Sequence, residues 1–142
     1  MNNTRNTSVI LLTYKCKVLL SVNDFNSENP AQNVWGMIES KKRAYESFLE
    51  PILHKIKDEM NIKLKNVSFL FKTEHEDEIL YFSHGKLTDD DVNSITRKEK
   101  QEIGFYTLLE AVKLQLAPAT SSLVSEHRHE LEQLLVHVGD SQ

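Results

Sequence analysis

The pattern of apolar and polar residues predicts an α/β domain, a mixed β-sheet sandwiched between helices. Three observations carry this. Short runs rich in β-branched residues interleave with helix-forming segments. Two of those segments open with Ser or Thr followed three residues later by Glu, a capping-box spacing. The 142 residues, 39% of them apolar, suffice for one buried core but would leave two domains poorly covered.

In chain order, the first seven residues are polar and read as a frayed tail. Val9 to Thr13 and Lys17 to Val22 read as two strands of a hairpin separated by Tyr14, Lys15 and Cys16. Residues 23–33 collect Asn, Asp, Ser and Pro30, which is loop chemistry. Ser47 and Glu50 mark a helix start that leaves Pro51 in the first turn, where its missing N–H is harmless. A start near Ser40 would put Pro51 in the interior at a cost of about 3 kcal/mol. Residues 35–46 are therefore expected as an ordered loop and 48–60 as a helix. Phe48, Ile52, Ile56 and Met60 form its buried stripe, and Asn61 is its left-handed stop.

Two further strands follow, Val67 to Lys72 and Ile79 to Leu87, joined by an acidic tip from Glu74 to Glu78. Residues 89–100 are polar and undecided. Phe105 and Tyr106 make a short strand, and Thr107 with Glu110 opens a short helix ending before Pro118. A last helix over 121–138 carries Val124, His127, Leu131, Leu134 and Val138 on one face. No internal repeat or low-complexity segment occurs.

The formal net charge of −4 and the 27% of charged residues give no broad attraction to nucleic acid or anionic lipid. With Cys16 as the single cysteine, an internal disulfide and a thiolate zinc cluster are excluded. Its apolar surroundings predict a small buried hydrophobe rather than a reactive thiol. The first apolar run is too short for a signal peptide or membrane span, so the cytoplasm is the expected compartment.

The stretch from Trp35 to Ile62 resembles a degenerate Nudix box. That pattern runs Gly, five residues, Glu, seven residues, then Arg-Glu-apolar-x-Glu-Glu-x-Gly-apolar, with a Trp usually a few residues ahead. Trp35 matches the leading aromatic and Glu46 the first acid. Ile56, Asp58, Glu59 and Ile62 match the apolar-x-Glu-Glu-x-x-apolar core. Four positions depart: Ser40 for the glycine, His54 for the arginine, Lys55 for the first glutamate of the helix, and Asn61 for the closing glycine. The segment 98–105, in which Glu99 precedes an aromatic strand by about six residues, is similar to the family's later sequence. So are the leucine-rich helix ending at Pro118 and the terminal helix. The resemblance implies a Nudix-like α/β/α sandwich over 8–138, between short tails at 1–7 and 139–142.

It also implies a chemistry. In the family, carboxylates one helical turn apart gather Mg²⁺ or Mn²⁺ against a substrate diphosphate, and the metal polarises phosphorus and activates water. Positions 55, 58 and 59 stand as i, i+3 and i+4 on one helix face. Here an ammonium holds one corner. At about 4 Å and an effective dielectric of about 20, one unit-charge repulsion is on the order of 4 kcal/mol, and a divalent ion doubles it. A complete multi-metal site is therefore not expected, and Lys55 is expected to pair with Asp58 or Glu59 instead.

Asp58, Glu59, Glu99 and Glu46 are the metal candidates for an active enzyme, with Glu59 as its catalytic carboxylate. Lys41, Lys42 and Arg43, with Trp35 and Lys55, are candidate ligand-binding residues. The basic run falls in the loop that faces the diphosphate in the family, where fixed cations could neutralise phosphate, although such runs are commonly just solvated. Trp35 could stack on a base, yet a lone tryptophan is more often core. His54 could anchor the loop as the family's arginine does, with a pH-dependent charge. His127 and His129 point to different faces, and His75 and His84 read as hairpin surface. No phosphate-binding glycine loop occurs.

Three readings follow. The first is a Nudix-fold protein with lost or weakened pyrophosphohydrolase activity, binding a nucleotide-like or diphosphate ligand or a protein partner without a metal cofactor. The second is an active hydrolase of a nucleoside diphosphate linked to another moiety, dependent on Mg²⁺ or Mn²⁺. The third is an interaction protein whose cleft is filled by side chains. A homodimer through the sheet edge or the last helix is left open by the sequence.

Overall fold

In the computed structural model, which describes residues 5–42, 47, 49–75 and 77–136 (side chains of 42, 75 and 136 excepted), the chain forms six strands and five α-helices among the described residues. The strands are β1 (Arg5–Tyr14), β2 (Lys17–Val22), β3 (Ile38–Lys42), β4 (Val67–His75), β5 (Glu78–Lys86) and β6 (Glu102–Tyr106). The helices are α1 (Glu50–Met60), α2 (Asp89–Asn93), α3 (Leu108–Ala111), α4 (Pro118–Glu126) and α5 (Arg128–Val136). Two compact units are distinguished, Met1–Leu12 with Ile38–Thr96, and Thr13–Met37 with Arg97–Gln142.

The first unit is built on β1. Every residue of β1 from Thr7 to Leu12 is buried, as a near-continuous apolar run in a covered sheet should be. One edge of β1 pairs antiparallel with β3, Ser8 opposite Ser40 and Ile10 opposite Ile38. β5 neighbours β1 and pairs antiparallel with β4, with a bulge between Phe69 and Phe71. Contacts between β1 and β5 climb together. The Arg5 amide donates to the Asp77 carbonyl at 2.7 Å, the Thr7 hydroxyl to Glu78 at 3.1 Å, and Leu12 lies against Gly85. β1 and β5 therefore run parallel, which makes the sheet mixed.

α1 begins at Glu50, two residues after the expected start. The Ser47 hydroxyl accepts from the Leu49 and Glu50 amides at 3.3 and 3.1 Å, and Pro51 lies in the first turn. Ile52, Ile56 and Met60 are its buried stripe, while Phe48 lies outside the described residues. Asn61 ends it at φ 59°. Its side-chain amide donates to the Ser94 carbonyl at 3.2 Å, and the Thr96 amide donates to the Met60 carbonyl at 3.0 Å. The undecided polar stretch thus contains α2, opened by a reciprocal box between Thr88 and Asp91.

In the second unit β2 pairs antiparallel with β6, Leu20 opposite Gly104, and with the end of β1, Thr13 opposite Val18. Trp35 is core: its ring is edge-on to Tyr106 at 5.3 Å and to Phe25 at 6.4 Å. Its amide and carbonyl bond Gln115 and Ala117, each at 2.8 Å. The Thr107–Glu110 box opens α3 as predicted.

Five expectations need correction. β1 takes in Arg5, Asn6 and Thr7, placed in the tail because they are polar; Asn6 and Thr7 lie opposite Lys42 and Lys41 of β3. The predicted loop over 35–46 contains that strand, recruited by the open edge of β1. The final helix is two, since His127 adopts φ −123° and ψ 33° between α4 and α5. The break shifts the helical phase, so Leu131 and Leu135 are buried rather than Leu134. Cys16 is exposed, because with Lys15 it forms the tight turn of the hairpin. His84 is half-buried, and burial, aided by Lys86, lowers its pKa.

Candidate functional site

The box residues that the structure describes divide between α1 and β3. On α1, the exposed pair His54 and Asp58, one turn apart, meet through Nε2 and Oδ2 at 3.2 Å. Lys55 and Glu59, also one turn apart, are half-buried. The face expected to gather positions 55, 58 and 59 is thereby split, with Asp58 62% exposed and engaged by histidine. His54 pairs within its own helix instead of anchoring a loop.

Lys55 reaches away from the helix. Its Nζ donates to the backbone carbonyl oxygen of Glu39 in β3, 2.6 Å away. This is a short charge-assisted bond, and it ties α1 to β3. The expected salt bridge to Asp58 is replaced by the histidine pair.

Ser40, where the box has glycine, is an ordinary extended strand residue opposite Ser8, outside the left-handed region. The strand removes the conformational demand that a glycine meets in a turn. Lys41 is exposed and opposite Thr7. The backbone of Lys42 lies in the same strand, and Arg43 and Glu46 lie outside the described residues. Glu99 is exposed in the second unit, in the turn before β6.

Glu39 is a residue the sequence did not flag. Burial pushes its carboxyl pKa up, the nearby Glu78 charge adds to this, and Lys55 opposes it. Glu78 is itself held by the Thr7 hydroxyl at 3.1 Å, and its other oxygen lies 4.0 Å from Arg5. No local signal could have found it, because its partners lie 16 and 39 residues further along the chain.

Of the donor set that the resemblance implies for a divalent ion, Asp58 and Glu59 stand on α1, Glu99 belongs to the second unit, and Glu46 lies outside the described residues. An ammonium occupies one corner, Asp58 is turned to His54, and among the described residues no group of three His, Cys, Asp or Glu side chains could hold a metal ion. What remains is a fixed monocation beside a half-buried acid.

Comparison with solved structures identifies the fold. A MutT/Nudix family protein from Listeria innocua superposes with a TM-score of 0.71 at 16% identity, covering 96% of this chain and 99% of that one. A MutT Nudix hydrolase from Burkholderia pseudomallei gives 0.66 at 17% identity, covering 92% and 98%. The Nudix domain of NrtR from Shewanella oneidensis, solved with ADP-ribose, gives 0.65 at 16% identity, covering 92% and 90%. The chain therefore has the Nudix fold, a mixed sheet with flanking helices. No family model matches the sequence, and no curated protein matches it either.

Proposed function

We propose that this chain is a cytoplasmic Nudix-fold protein that has lost or weakened pyrophosphohydrolase activity and binds a nucleoside-diphosphate-type ligand. One observation carries the reading: the amine at position 55 is bonded to the Glu39 carbonyl, within the face where the family gathers its metal. A positive charge there opposes a divalent ion, and without that ion neither the polarised phosphoryl group nor the activated water is available. The ligand class is supported by the neighbour solved with ADP-ribose. Lys41 of β3, with Lys42 and Arg43 next to it in the sequence, supplies further positive charge for a diphosphate.

The test is thermal-shift screening with ADP-ribose and nucleoside diphosphates, with EDTA or Mn²⁺, beside a hydrolysis panel. The reading expects a shift in EDTA and no release of nucleoside monophosphate. Metal-dependent hydrolysis at ordinary enzymatic rates, abolished by Glu59→Gln, would establish the active hydrolase instead. A protein partner in place of a small ligand is indicated if no nucleotide shifts the melt.

A further inference from the structure

We propose that the Lys55 ammonium is a tethered replacement for the divalent ion, joining α1 to β3 and offering a metal-independent cation to the diphosphate of a bound ligand. This rests on the binding reading above and names the group that makes it work.

The geometry has three parts. Lys55 projects from the flank of a helix whose buried stripe, Ile52, Ile56 and Met60, is held in the core, each 1% exposed. Its ammonium spends one N–H on the Glu39 carbonyl at 2.6 Å. An ammonium has three donors, and a carbonyl is a neutral acceptor, so this bond leaves the unit charge in place. Finally, Lys55 is only half-buried, so the side chain is not sealed in the core.

The local electrostatics support a cation retained for use. Lys55 favours the charged form of the Glu39 carboxyl but is not the dominant influence on it. Burial and Glu78 together outweigh Lys55, and the Glu39 carboxyl shifts toward neutrality.

A lysine and a divalent ion are not equivalent in chemistry. Both attract phosphate oxygens, and lysine is a common point-charge phosphate binder. Only the metal generates hydroxide from bound water near neutral pH. Exchanging one for the other retains recognition and removes hydrolysis, which is the combination proposed for this chain.

The experiment has a metal arm and an anion arm on the full chain. In the first, Mn²⁺ alone is titrated into wild type, Lys55→Glu and Lys55→Gln, and free Mn²⁺ is read by electron paramagnetic resonance, with circular dichroism verifying the fold. Lys55→Glu should bind Mn²⁺ at least about a hundredfold more tightly than wild type, given the size of one unit-charge reversal at this range. Lys55→Gln, which only removes the charge, should gain about tenfold and serves if the glutamate variant does not fold. In the second arm, inorganic pyrophosphate in EDTA should raise the melting temperature of wild type but not of Lys55→Gln.

Wild type binding Mn²⁺ as tightly as the folded variants overturns the replacement while leaving the binding reading intact. The same holds if Lys55→Gln keeps the pyrophosphate shift. No shift in wild type overturns both, and metal-dependent hydrolysis by wild type overturns the binding reading itself.

Discussion

The amide of Met37 donates to the hydroxyl of Thr120, 2.9 Å away and buried, so a side chain from the first turn of α4 completes the backbone of the segment leading into β3. Gly36 permits the approach: a Cβ there would lie 3.0 Å from the Cβ of Ala117. Thr120→Val keeps the shape but leaves the Met37 N–H unpaired. It should cost about 1–3 kcal/mol, read from denaturant unfolding, whereas Ser in its place should restore much of the loss.

Asn61 closes α1 in the left-handed region at φ 59°. Asn61→Gly should be close to neutral, while Asn61→Ala should lose about 1 kcal/mol, because an L side chain without a local polar group pays for that conformation. Comparing the two melts separates the backbone effect from the bond to Ser94.

Glu39 gives the protein a defined pH response. Its folded pKa is raised above the ordinary 4.5, so the native state holds this proton more tightly than the unfolded chain. Stability from this group is present in acid and is lost as pH rises from about 4.5 through the folded value. Glu39→Gln should therefore be more stable than wild type at pH 7, with the difference vanishing near pH 4. A stability gap independent of pH would show that the carboxyl is not the source.

The thiol of Cys16 stands on the hairpin turn and is exposed. It should react with a maleimide or an aromatic disulfide in the native state at a rate close to that of a small free thiol. Reaction only after addition of denaturant would place it in the core.

The elements legible in the sequence are those whose signals are local. Ser47, Pro51 and Asn61 bracket α1 through neighbouring residues alone, and the Thr107–Glu110 box does the same for α3. β3 was missed because a five-residue strand with two lysines forms only where a partner edge is waiting, and β1 supplies it. The break at His127 left no glycine or proline to announce it, and Pro118 marks a helix start as readily as an end. At the candidate site, the oddity of Lys55 was legible, but its target was not. A bond to a backbone carbonyl of β3 depends on no side-chain identity at position 39, so the sequence carries no trace of it.

The turn between β1 and β2 has one more implication. Lys15 and Cys16 are both left-handed, at φ 49° and 66°, and neither is a residue that favours this. A loop so poorly suited to its conformation cannot be choosing the register; the flanking strands impose it, with Tyr14 opposite Lys17. The apex is thus a passenger, and grafting Asn-Gly there should raise thermal tolerance with the alignment of the hairpin untouched.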